Sequence, residues 1–320
     1  MNFKNLTFLA ILFFTLQSCD NTEAYFGNTS GSSDPDIYSR LSDIIKHDNV
    51  PTDSLSFNPS EDSEVTGSFG TKIIIPANAV ILGSNALPDE LFVVLREYPT
   101  ISKMALSNVQ VESNQEMLVT GGNFWWKIVD AEGNDWDITQ PSSITAEQPV
   151  VTNMGSYAQQ AGYYIGNIIN GGNQQVLNWT LAPNSEGVMG QNNIFTYYGL
   201  QLDWANVDVL YDYPGDRTQF SATLNSNANI APGQEMVLLI VDDFPSVINI
   251  YTRQGSSFVT HPNSIPVGIT GTLVGIALDS DNQLLVGSTA ITVAGDDEFT
   301  IDLAPGSMAG LTSLLNQITN

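Results

Sequence analysis

Along most of the chain, apolar residues fall in short runs broken by Gly, Pro, Asn and Asp, and no long segment repeats every three to four positions. Lys72-Ile73-Ile74-Ile75 is a brief run stopped by Pro76, and Leu91–Tyr98 is a longer one, apolar on both faces in its first half. Gly122–Val129, the turn residues Asp130–Asp135 and then Trp136–Thr139 read as strand, turn, strand, which is a hairpin. Further on, Val207–Tyr211, Gln219–Leu224 and Met236–Val241 read as strands. Val247–Thr252 and Ser257–Thr260 flank a turn at Arg253–Ser256, and Leu273–Leu278 and Gln283–Val286 flank one at Asp279–Asn282. Strand-length runs with this punctuation predict antiparallel sandwiches. The expected fold class is all-β: two tandem antiparallel β-sandwich-like domains, residues 63–184 and 190–320, with short flanking helices.

Two segments carry a helical stripe. In the first, Asp34 is placed to cap, Pro35 suits the first turn, and Ile37, Leu41, Ile44 and Ile45 share a face. In the second, Ser307 is the cap and Leu311, Leu314, Leu315 and Ile318 line one side. The N-terminus follows a different logic. Lys4 precedes an apolar run from Leu6 to Leu16, and Ser18 sits just before Cys19. That run is well short of the roughly twenty residues a membrane-spanning helix needs, so residues 1–18 read as a cleaved export signal. Leu16-Gln17-Ser18-Cys19 resembles the lipobox of bacterial lipoproteins. The resemblance implies that the Cys19 sulfur receives a diacylglycerol, that the signal is cut before it, and that the new amine takes a fatty acyl chain such as palmitate. Residues 19–62 would then be a lipidated tether with its short helix, polar and Gly/Ser-rich over 20–35. The partner implied first is a membrane, reached through the lipid on Cys19, most simply the outer membrane of a cell envelope.

Charge narrows the partners further. Nine basic residues stand against thirty-four acidic ones, a formal net charge of −25. Such a surface repels phosphate backbones, which excludes nucleic acid as a partner class. Cys19 is the single cysteine, so no disulfide, thiolate metal site or redox pair forms within one chain.

Several short motifs, in order, resemble a known family. Gly70-Thr71-Lys72-Ile73-Ile74-Ile75-Pro76-Ala77-Asn78-Ala79 resembles the opening of the ZU-type β-sandwich of zona-occludens proteins, netrin receptors and ankyrins. The continuation is similar to a group of Bacteroidota envelope lipoproteins. Its marks are Leu95-Arg96-Glu97-Tyr98, the segment Ser102–Ser107, Thr120-Gly121-Gly122 before Phe124-Trp125-Trp126, Trp204-Ala205-Asn206-Val207-Asp208, and Ile265-Pro266-Val267-Gly268. Val207 stands where that group has a cysteine, and the His-Phe-Ser tripeptide of self-cleaving relatives does not occur. The resemblance implies a sandwich module at the envelope whose relatives are mostly interaction domains.

Candidate chemistry is sparse. His47 and His261 are the only histidines, one at the end of the short helical segment and one before Pro262 in a loop, and both read as structural. No nucleophile elbow, zinc-protease helix or phosphate loop occurs. Asp130, Glu132, Asn134 and Asp135, and again Asp279, Asp281 and Asn282, place oxygen ligands in one loop, which suits Ca²⁺. The same residues also suit hairpin turns. Trp125/Trp126, Tyr163/Tyr164 and Tyr197/Tyr198 are adjacent aromatic pairs, and strand geometry turns one of each pair outward, where it could stack on a sugar or fill a partner's pocket. Asp53-Ser54-Leu55 resembles the O-glycosylation acceptor of Bacteroidota, with Ser54 as the acceptor. The expected function is a non-enzymatic, membrane-anchored envelope lipoprotein that binds or scaffolds a protein partner. The alternatives are glycan binding through exposed aromatics and hydrolysis by a pair of acids.

Overall fold

The largest sheet is assembled from distant parts of the chain. In the computed structural model, which describes residues 38–81, 87–139, 143–171, 174–183 and 187–319, its main path runs Thr52–Phe57, Leu91–Tyr98, Glu116–Val129, Asp203–Leu210, Gly162–Gly171 and Gln174–Leu181. Three shorter strands, Val80–Ile81, Glu112–Ser113 and Asp135–Ile138, branch from it. A second sheet, in the order Gly187–Met189, Ile194–Tyr198, Thr145–Pro149, Lys72–Ile75 and Ser63–Thr66, faces it. Alternation in Leu91–Tyr98 turns Leu91, Val93 and Leu95 fully inward between the two sheets. There Tyr197 meets Phe124 and Tyr163 edge to face, at centroid distances of 5.5 and 5.1 Å.

The rest of the chain builds a second pair of sheets. One is Val247–Asn249, Ile230–Val241, Thr270–Asp279, Leu284–Thr292 and Ala304–Pro305. The other is Arg253–Gln254, Ser257–Val259, Phe220–Asn225 and Asp297–Asp302, whose last two strands pair in parallel. Apart from that pair, the described strand pairs are antiparallel, and the fold is all-β as the sequence pattern predicts. The hairpins at 130–135 and 279–282 form as expected. The one expected from 247–260 does not form as drawn. Val247–Asn249 pairs with Ile230–Val241, and only Arg253–Gln254 turns back on Ser257–Val259. Residues 250–252 therefore cross from one sheet to the other.

Helices fill the space between the two sandwiches. Helix α1 (Ile101–Leu106) is capped by the Thr100 hydroxyl, and helix α2 (Met308–Ile318) by the Ser307 hydroxyl. Met104 and Ala105 of α1 and Leu311 and Leu315 of α2 share one apolar layer with Tyr98, Trp179 and Trp204 of the first sandwich and Leu238, Ile240 and Ile276 of the second. No described helix is long and apolar enough to cross a membrane.

The described residues belong to one compact unit, in which the two sandwiches share this layer. Two expectations are corrected. The sheets change over between Leu210 and Phe220, since Ile194–Tyr198 and Asp203–Leu210 pair into the first sandwich; a boundary at 184–190 would cut both strands from their sheets. The tether is also shorter than 19–62, because Leu41, Ile44, Ile45 and Val50 are buried in the shared layer and Thr52–Phe57 is a full strand on Leu91–Tyr98. The early helical stripe forms only one 3-10 turn, Leu41–Asp43, among the described residues. Residues 1–18, Cys19, Asp34, Pro35 and Ile37 lie outside the described residues.

Candidate functional site

The two halves are joined at the backbone as well as through apolar contact. Val111 N–H donates to the Val247 carbonyl at 2.7 Å, and Thr120 N–H to the Pro245 carbonyl at 2.9 Å. These bonds bring the hairpin Glu112–Met117 of the first half against residues 248–252 of the second. Asn114 and Gln115 turn that hairpin with φ of 50° and 74°, the two left-handed positions a tight hairpin turn requires. Asn suits such a position and Gln does not, so the turn carries some strain at its second residue.

Glu112, at the start of this hairpin, is 4% exposed. Its carboxyl accepts a hydrogen bond from the Gln115 backbone N–H and a long one, 3.5 Å, from the Tyr251 hydroxyl. Tyr251 lies on the segment that crosses between sheets, and its hydroxyl is 3.0 Å from His261 Nε2. Glu112, Tyr251 and His261 thus form a chain of acid, phenol and imidazole drawn from both halves. They line a small recess with space for about one water-sized group, backed by Met117, Ile250 and Ile265. Burial pushes the Glu112 carboxyl up to about 7, against the smaller opposing effect of its two hydrogen bonds. Burial likewise raises Tyr251 to about 12 and lowers His261, in each case favouring the neutral form.

A second polar group lies deeper in the same junction. Asn206 and Asp208 pair across from Asn123 and Thr120, with a bulge between them. Thr120 donates to Asn206 Oδ1 at 3.1 Å, and Asn206 Nδ2 donates to Asp208 Oδ2. Gly122 bends this strand with φ of +116°, and a side chain there would press on Gln148. Asp208 is fully buried, and desolvation holds its carboxyl well above the usual carboxylate range. The T-G-G and W-x-N-x-D motifs are therefore one feature, meeting face to face at the junction. Two other motifs meet as well: Glu97 of L-R-E-Y accepts the backbone N–H groups of Phe69 and Thr71 at 2.7 and 2.8 Å, holding the turn that opens the G-T strand.

The residues singled out by sequence are scattered. Asp130 turns its carboxylate onto its own loop, accepting from the backbone N–H groups of Glu132 and Asn134, and Asp135 pairs with Lys127 at 2.7 Å. Asp279 does the same toward Asp281 and Gln283, while Asn282 takes a left-handed turn position. Among the described residues no three His, Cys, Asp or Glu side chains gather as a metal site. Of the aromatic pairs, Trp126, Tyr163, Tyr164 and Tyr197 are all buried. Tyr164 escapes the outward orientation expected of it because the helical layer covers that face of the sheet. Trp125 is half-buried beneath the Arg96 guanidinium, 5.0 Å from its ring centre, and Tyr198 is exposed on the opposite sheet, so the two form no common platform. Ser54 is exposed, but it sits in a strand paired with Val94, not in a tether. His47 packs its ring edge on Trp204 at 5.0 Å, with burial lowering its basicity. Glu112 and Tyr251 carried no motif, and His261 read as a loop residue. The hint available in the sequence is the Asn114-Gln115 turn, which sets Glu112 across from Met117. No protein-family model and no curated protein matches this chain.

Proposed function

We propose that this chain is a non-enzymatic envelope lipoprotein, anchored through Cys19, whose folded part is a rigid binding or scaffolding module of ZU-type ancestry. The observation that carries the reading is the junction. Two sandwiches locked by inter-half backbone bonds and a common apolar layer make a stiff body, and the line Glu112, Tyr251 and His261 is drawn from both. A stiff body holds its surface groups at fixed positions, which suits recognition because little order is lost on binding. The motif pairs of the family resemblance support it too, since they fasten strands and the junction. Exposed Ile168, Ile169, Leu181 and Val188 lie on the hairpin and short strand at the edge of the first sandwich and offer further contact area.

Affinity recovery of the full-length lipidated protein from detergent-solubilised envelopes tests the reading. The expected result is saturable enrichment of a specific envelope protein. Recovery of none, with turnover of envelope polysaccharide or peptide by the purified protein, would overturn it.

A further inference from the structure

Four side chains meet at the bulge between Glu116–Val129 and Asp203–Leu210, and none of them reaches solvent: Thr120, Asn123, Asn206 and Asp208. Thr120 stands opposite Asp208 and Asn123 opposite Asn206, leaving Gly121 and Gly122 opposite Val207. Such a bulge re-aims side chains and recurs beside active sites. Here it brings the Thr120 hydroxyl within 3.1 Å of Asn206 Oδ1 and against the Asp208 carboxyl, while Asn206 Nδ2 donates to Asp208 Oδ2. The Gly122 N–H donates to the Thr120 oxygen at 3.1 Å and holds it in place. As a hydrogen-bond network the group is incomplete: Asp208 Oδ1 and both polar atoms of Asn123 have no partner, a costly arrangement for buried polar groups. As a reacting set it is complete. It holds an alcohol, a carboxamide and one carboxylic acid in contact with both.

We propose that Thr120 and Asn206 are joined by an ester bond that the protein forms on itself, with Asp208 as the catalytic acid–base group. The Thr120 oxygen attacks Asn206 Cγ, the Cγ–Nδ2 bond breaks, and ammonia leaves. Asp208 serves both proton transfers: its free Oδ1 takes the Thr120 hydroxyl proton, and its Oδ2 gives the proton it carries to the departing nitrogen. The acid ends as it began, protonated on the other oxygen, and no oxidant or second substrate is consumed. A neutral carboxylic acid can do this and a carboxylate cannot, which fits the complete burial of Asp208. Holding alcohol and amide in contact makes the attack unimolecular, and exclusion of water protects the product ester from hydrolysis. The bond staples two neighbouring strands of the largest sheet at the place where the halves join, since the Thr120 N–H also donates to the Pro245 carbonyl. It goes beyond the binding reading and needs no partner.

Mass spectrometry of the full-length protein, unfolded and digested with pepsin in acid, tests the bond. The peptides carrying Thr120 and Asn206 should be recovered as one linked species, lighter than their sum by one ammonia, about 17 Da. Hydroxylamine, which cleaves esters, should separate them. Thr120→Val, which keeps the shape and loses the hydroxyl, should give the two peptides unlinked, and Thr120→Ser should keep the link. Asp208→Asn, of the same shape but unable to move both protons, should leave them unlinked. Unlinked peptides at their ordinary masses in the wild type would overturn the ester, whether or not any variant folds. A linked species in Thr120→Val would overturn the assignment of the oxygen, and linking in Asp208→Asn equal to wild type would overturn Asp208 as the catalyst.

Discussion

Replacing Glu112 by Gln should flatten the pH dependence of stability across the junction. The carboxyl is 4% exposed and is pushed up to about 7, from an unfolded value near 4.5. For an acid raised on folding, the folded state holds its proton more tightly than the unfolded chain. Its contribution is complete below about pH 4.5 and is lost as pH climbs through about 7. The shift corresponds to about 3 kcal/mol between those limits. Gln keeps the size and the acceptor for the Gln115 N–H and Tyr251 hydroxyl, yet never ionises. Wild type and Glu112→Gln should therefore unfold at similar urea concentrations at pH 4.5, and the variant should be more stable by about 3 kcal/mol at pH 8. His261 works in the opposite sense, because burial lowers it: its contribution is present above about 6.5 and lost as pH falls. Both proteins retain His261, so it cancels in the difference. Parallel stability curves from pH 4.5 to 8 would refute the claim that Glu112 is buried and unpaired with a cation.

Leu315→Ala should destabilise the whole described unit by about 2–5 kcal/mol in urea unfolding, in one transition, because Leu315 is fully buried in the layer both sandwiches share. Two separate transitions would mean the halves are not fused. Cys19→Ala should abolish labelling by a fatty-acid analogue and partition into detergent, and labelling equal to wild type would remove the lipid anchor.

The amount of this structure legible in the sequence follows the range of the forces involved. Strands with strict alternation or flanking turn residues were readable, as in Leu91–Tyr98 and the hairpin at Asp130–Asp135, since strand pairing there is local. So was α2, where the Ser307 cap and the Leu311/Leu315 stripe coincide. The domain boundary was not, because Asp203–Leu210 inserts between two strands that lie earlier in the chain. Tyr164 and the continuous run Met236–Val241 are buried on both faces of their sheets, a consequence of a helical layer that no local pattern announces. The T-G-G and W-x-N-x-D motifs were visible as marks of resemblance. Their meeting at one buried polar junction was not, and neither was the line from Glu112 through Tyr251 to His261, whose members are brought together only by the packing of one half on the other.

The most direct test of the binding-module account is a titration of the purified full-length protein against the envelope protein it recovers. Saturable binding of fixed stoichiometry, with neither protein chemically altered, is the predicted result. Absence of saturable binding, or covalent change of the partner on mixing, would contradict the account.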